Sequence, residues 1–185
     1  MNPFRLVVTA AVFSLLVGCG PSWKVVRTSS PSALKGAGEV AIAFDYSQMN
    51  VGGRAVGDFV AAKTAEDPKY PQTWADLLGR FETAVIDGMR HHNPHARAVQ
   101  AGGPTPVMLI VQPRTFQLGK FIPFAQPNTV MDVELVWQVN GQVTDEIGVK
   151  RAYPPSITQP SVFNHIGPVG EGIGQTAGKF LDSAQ

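Results

Sequence analysis

The sequence predicts an α+β domain: a two-layer sandwich whose mixed four-stranded sheet ends in an antiparallel meander and carries two main helices on one face. Three stretches point there. Trp74, Leu77, Leu78, Phe81, Val85 and Met89 recur at helical spacing, residues 128–153 alternate apolar and polar about Asn140-Gly141, and residues 162–181 return to a helical period.

Taken in order, Glu39 to Tyr46 is the first strand, because Val40, Ile42, Phe44 and Tyr46 share one face and small or acidic residues the other. The stretch from Ser47 to Pro71 carries turn signals at Asn50, Gly52-Gly53 and Gly57, with a short helix around Asp58–Lys63. The long amphipathic helix follows. Thr73 is placed to cap its first amides, Asp76 puts negative charge in its first turn, and Asn93-Pro94 ends it.

Val107 to Val111 is a short apolar run between prolines, which suits a buried central strand. In residues 128–140 Met131, Val133, Leu135, Trp137 and Val139 face inward, while Asp132, Glu134 and Gln138 face outward. Asn140-Gly141 is the preferred dipeptide of a type I′ hairpin turn, so Gln142 to Tyr153 returns beside it. The last helix runs through Val162, Ile166, Val169, Ile173, Ala177 and Phe180-Leu181. Gly167, Gly170, Gly174 and Gly178 nearly share one of its faces, each at about 1 kcal/mol of helix propensity relative to alanine, which implies close approach of another backbone.

Ahead of the domain, Arg5 precedes an uncharged apolar run from Leu6 to Val17 that stops at Gly18-Cys19-Gly20. A bilayer span takes about 20 apolar residues, so this run is too short and reads as a cleaved signal peptide over residues 1–18. Residues 19–38 read as a lipidated tether and 39–185 as a single domain. The tether is rich in small residues, glycine and proline from Thr28 to Gly38. Trp23, Val25 and Val26 interrupt it, and would either pack on the domain or lie at the headgroup level.

Leu16-Val17-Gly18-Cys19 resembles the bacterial lipobox, whose cysteine becomes the first mature residue and is acylated. Cys19 is the sole cysteine, so no intrachain disulfide exists and lipidation accounts for the unpaired thiol. With the Pro-Ser-Trp-Lys-Val-Val-Arg opening, the Val-Ala-Ile-Ala-Phe strand and the Asn-Gly hairpin, the chain resembles small lipoproteins of Gram-negative bacteria. More distantly, the order of elements is similar to the lipoprotein domains of peptidoglycan-synthase activators and to the amino-terminal domain of TolB. That resemblance implies binding of partner proteins in the periplasm without catalysis. Lipoproteins retained in the inner membrane tend to carry aspartate after the cysteine; Gly20 here implies the periplasmic face of the outer membrane.

Composition excludes one class of partner. Without residues 1–18 the chain keeps 185 − 18 = 167 residues, and loss of Arg5 leaves 14 basic against 14 acidic side chains. A nucleic-acid binder displays a basic patch, and no such clustering occurs here.

The candidate chemistry is sparse. His91, His92 and His95 form a His-His-x-x-His cluster that could hold zinc, but His91 and His95 share a face only if the helix continues through Asn93-Pro94. Gly170-Glu171-Gly172-Ile173-Gly174 lacks both the dinucleotide fingerprint and a phosphate-loop lysine. Asp132 with Glu134, and Asp145 with Glu146, are carboxylate pairs without a nucleophilic companion nearby, as expected of a solvated sheet face. Phe116, Phe121 and Phe124 lie in an apolar connection between strands. They are candidate partner contacts, or they fold back to cap the sandwich. No cofactor is called for. The expectation is a membrane-anchored, non-catalytic binding or accessory module of the envelope; the alternatives are an envelope hydrolase or metal-dependent enzyme using the histidines, and a purely structural envelope protein.

Overall fold

The computed structural model describes residues 23–30, 32–99, 106–119, 127–154 and 161–184. The elements in chain order are β1 (Lys24–Arg27), β2 (Ala41–Phe44), β3 (Asn50–Val51), β4 (Arg54–Ala55), α1 (Val56–Glu66), α2 (Tyr70–Arg90), β5 (Arg97–Ala98), β6 (Val107–Gln117), β7 (Thr129–Val139), β8 (Gln142–Tyr153) and α3 (Val162–Ser183). The protein is α+β, with a mixed sheet. Among the described residues no helix is long and apolar enough to cross a membrane.

The sheet is larger than the four strands expected: among the described residues eight strands join, in the order β1-β8-β7-β6-β2-β5, with β3 attached beside β6 and β4 beside β3. Most of the additional strands are two residues long, too short to leave an alternating pattern in the sequence. β6, β7 and β8 form the antiparallel meander, while β2 pairs in parallel with both β6 and β5. Asn140 and Gly141, at φ 51° and 77°, are both left-handed, as a type I′ turn requires.

Pro113 does not end its strand. β2 pairs with residues 108–111 of β6 and β3 with Thr115 and Phe116, so the proline sits in the gap between these two neighbours, next to a bulge at Pro113/Thr115. There its missing N–H removes no ladder bond on that edge.

Among the described residues there are three helices: the two main ones and, where a short helix is read around Asp58–Lys63, the longer α1. α2 and α3 cover the same sheet face: Phe81 lies 6.1 Å from Phe44, Trp74 6.1 Å from Phe116, and Phe180 6.4 Å from Trp137 between ring centroids. α1 has no fully buried residue and packs through Phe59, 6.0 Å from Tyr70 and 5.6 Å from Trp74. The expected cap at Thr73 is displaced inward, since α2 begins at Tyr70 with no side-chain cap and with Pro71 in its first turn. Proline is tolerated there because the first amides have no intrahelical acceptor. Of the stripe, Trp74, Leu77, Phe81, Val85 and Met89 are buried and Leu78 is half-buried against the core.

Packing begins well before residue 39. β1 pairs antiparallel with β8, Trp23 stands edge-on to Phe180 at 5.9 Å, and Leu34 is fully buried. Burial of these few apolar side chains overrides the small-residue composition that reads as a flexible tether.

Candidate functional site

The described histidines and carboxylates are dispersed rather than gathered. His92, at the carboxyl end of α2, places Nδ1 2.6 Å from an oxygen of Asp182 on α3. His91 is exposed, with Nε2 3.9 Å from Glu171, and His95 lies beyond the helix, its backbone N–H donating to the Oδ1 of Asn93. α2 ends at Arg90, so no helical face carries these three residues together. Among the described residues no group of three or more His, Cys, Asp or Glu is placed to hold a metal ion.

Three carboxylates of the meander, Glu134, Asp132 and Asp145, likewise have their own partners. Glu134 accepts from the Nε of Arg114 at 2.8 Å, and Asp132 accepts from the hydroxyl of Thr115 at 2.7 Å and faces Lys150 at 3.6 Å. Asp145 behaves differently from the solvated residue expected. A bulge at Trp137/Gln138 brings it opposite Trp137, where it is 1% exposed. There it accepts from the Thr28 hydroxyl at 2.9 Å, the Ser29 N–H at 3.0 Å and the Ser29 hydroxyl at 3.2 Å. A buried charge is tolerable when hydrogen-bonded in this way, and the bonds fasten the chain just after β1.

Two side chains on the β2 side have shifted titration. The Ser47 N–H, donating at 2.9 Å, holds the Asp45 carboxyl below the usual range, with a further bond from Gln112. Burial pushes the Tyr46 phenol well above its ordinary value, and the Glu82 carboxylate accepting its proton at 3.0 Å adds to this.

The glycine face on α3 is a packing surface. A Cβ on Gly170 would stand 2.8 Å from the Phe81 carbonyl oxygen, one on Gly178 2.5 Å from the Cβ of His92, and one on Gly174 2.8 Å from the Met89 nitrogen. Gly88 meets α3 from the other side, at 3.0 Å from the Gln175 nitrogen. Gly167 departs from the expected row, with nothing within 4 Å. The two helices part there, and an open groove of about 730 Å³ runs between them past Asp76, Arg80, Asp87, Phe163 and Asn164. The Arg80 guanidinium lies over the Phe163 ring at 5.7 Å.

Of the loop aromatics, Phe121 and Phe124 lie outside the described residues. Phe116 is not a partner contact: it is fully buried on β6, opposite Met131 and against Trp74. The bulge beside Pro113 carries it onto the helix-covered face.

Sequence reasoning passed over His165. It is fully buried on α3, with Nδ1 2.9 Å from the Thr129 hydroxyl, which also accepts from the Gly119 N–H at 3.2 Å. The Tyr153 ring is 5.4 Å away. Its place in the apolar stripe, one residue before Ile166 and four before Val169, was the available signal.

The exposed apolar residues are concentrated at one place. Val25 and Val26, 49% and 56% exposed, are the large hydrophobics most open to solvent among the described residues. They stand side by side on β1, between Lys24 and Arg27, at the edge of the sheet.

No protein-family model matches the chain, and no curated protein matches it. PelC from Paraburkholderia phytofirmans, solved as a dodecamer, is similar in outline at 8% identity and a TM-score of 0.43, over 75% of this chain and 88% of that one. A Xanthomonas campestris protein of the DUF330 family is similar at 11% identity and a TM-score of 0.43, over 80% and 88%. Neither is a peptidoglycan-synthase activator or TolB, and similarity at this level carries no function across.

Proposed function

We propose that the protein is a lipoprotein of the cell envelope, anchored through Cys19 to the periplasmic face of the outer membrane and serving as a non-catalytic binding or accessory module. The observation that carries this reading is the Leu16-Val17-Gly18-Cys19 sequence behind a basic and then apolar leader, in a chain with no second cysteine. At about 0.8 kcal/mol per buried methylene, two or three acyl chains on one residue hold a protein firmly at a membrane. The non-catalytic part is supported by the engagement of His92, Asp132, Glu134 and Asp145 with separate structural partners. Cys19→Ser is expected to abolish incorporation of labelled fatty acid and to leave precursor or mislocalised protein. Equal labelling of the two proteins sinks the anchor.

A further inference from the structure

We propose that β1 is a membrane-docking edge, which lies in the headgroup layer with Val25 and Val26 against the acyl boundary and Lys24 and Arg27 on anionic headgroups. The proposal rests on the reading of Cys19 as the lipid anchor. Gly20, Pro21 and Ser22 separate Cys19 from Trp23, so even a fully extended chain sets their Cα atoms at most about 13–14 Å apart. The headgroup region on each side of a bilayer is about 5–8 Å deep. With the acyl chains of Cys19 in the membrane, β1 begins in that region or directly beside it.

The strand is held there in one orientation. Trp23 packs edge-on against Phe180 at its start, the ladder to β8 pairs Lys24 with Gly148 and Val25 with Ile147, and Asp145 binds Thr28 and Ser29 just past its end. Between these fixed points the two exposed valines are presented in tandem, next to where the lipid would attach. Two cations flank them, and neither has an ion pair among the described residues. Apolar side chains framed by lysine and arginine fit an interface whose headgroups are partly anionic.

A second copy of this chain fits the edge poorly. β1 has four residues and a register shift between Val25 and Arg27, and a short, bulged, basic edge strand resists pairing. A symmetric antiparallel pairing about Val25 and Val26 would set Lys24 opposite Arg27 of the other copy, and like charges directly opposite are destabilising.

The test uses the mature lipoprotein in vesicles of phosphatidylethanolamine and phosphatidylglycerol in a three-to-one ratio. Mass spectrometry of the Cys19–Lys24 tryptic peptide comes first, since an absent acyl mass overturns the anchor and the docking with it. On acylated protein, Val26→Cys is labelled with a fluorophore and compared with Ala98→Cys, an exposed position on β5 at the opposite edge of the sheet. Lipids carrying a quencher near the headgroup should quench the label at position 26 at least threefold more than the label at 98. Equal quenching with the acyl mass present overturns the docking alone. Self-quenching at position 26 that rises with protein density, without lipid quenching, assigns the edge to a second copy and overturns it too. The unmodified chain supplies a second readout: the rate of tryptic cleavage after Arg27 relative to Arg97 should fall at least tenfold from detergent to vesicles. An unchanged ratio refutes the proposal.

Discussion

Close contact between α2 and α3 makes Gly174 the most sensitive position for testing the fold. A Cβ there would stand 2.8 Å from the Met89 nitrogen and 2.9 Å from the Val85 carbonyl carbon, and nearer still to the Val85 oxygen. Ordinary contact begins at 3.4 Å, so α3 must retreat by at least 3.4 − 2.8 = 0.6 Å to admit even one methyl group. All these neighbours are backbone, which has no rotamer to yield. Overpacking of this kind costs about 1–3 kcal/mol, and a rise in helix propensity returns only about 0.4–1 kcal/mol. The expected net losses are about 1 kcal/mol for Gly174→Ala and about 2 kcal/mol for Gly174→Leu. With a urea slope of about 2 kcal/mol/M, the leucine variant should lose about 1 M in midpoint at constant slope. Gly79→Ala is the internal contrast: nothing lies within 4 Å of that helical position, so it should gain about 0.4–1 kcal/mol. Urea titrations of a soluble form beginning at residue 20 measure all three. An unchanged or raised midpoint for Gly174→Leu would mean that the two helices do not meet along this face.

Asp145→Ala should cost about 1–3 kcal/mol by removing the three hydrogen bonds that hold Thr28 and Ser29, and should expose the chain after Arg27 to trypsin at concentrations that spare the wild type. A Tyr46→Phe comparison isolates one alkaline transition. The folded-state pKa of Tyr46 is raised, so its share of stability is full below the unfolded value near 10 and is lost as pH rises above it; the variant should show a shallower decline between pH 9 and 11. Parallel slopes for the two proteins would refute the burial of that phenol.

The amino-acid sequence alone determined the elements whose information is local. The α2 stripe, the hairpin at Asn140-Gly141 and the α3 period each depend on residues a few positions apart, and each lies where its spacing puts it. The Leu16-Val17-Gly18-Cys19 sequence on which the proposed anchor rests is legible for the same reason, being contiguous. Tertiary structure alone decided which residues meet across the chain. Nothing near Asp145 in sequence announces that Thr28 and Ser29 will bind it, 117 and 116 residues away. Nothing in the composition of residues 23–37 shows that Trp23 will find Phe180 or that Leu34 will be buried, because burial depends on what arrives from elsewhere. Phe116 became core rather than surface through a bulge, which reverses the facing of every residue beyond it, and that inversion is a property of the pairing rather than of the strand's own pattern.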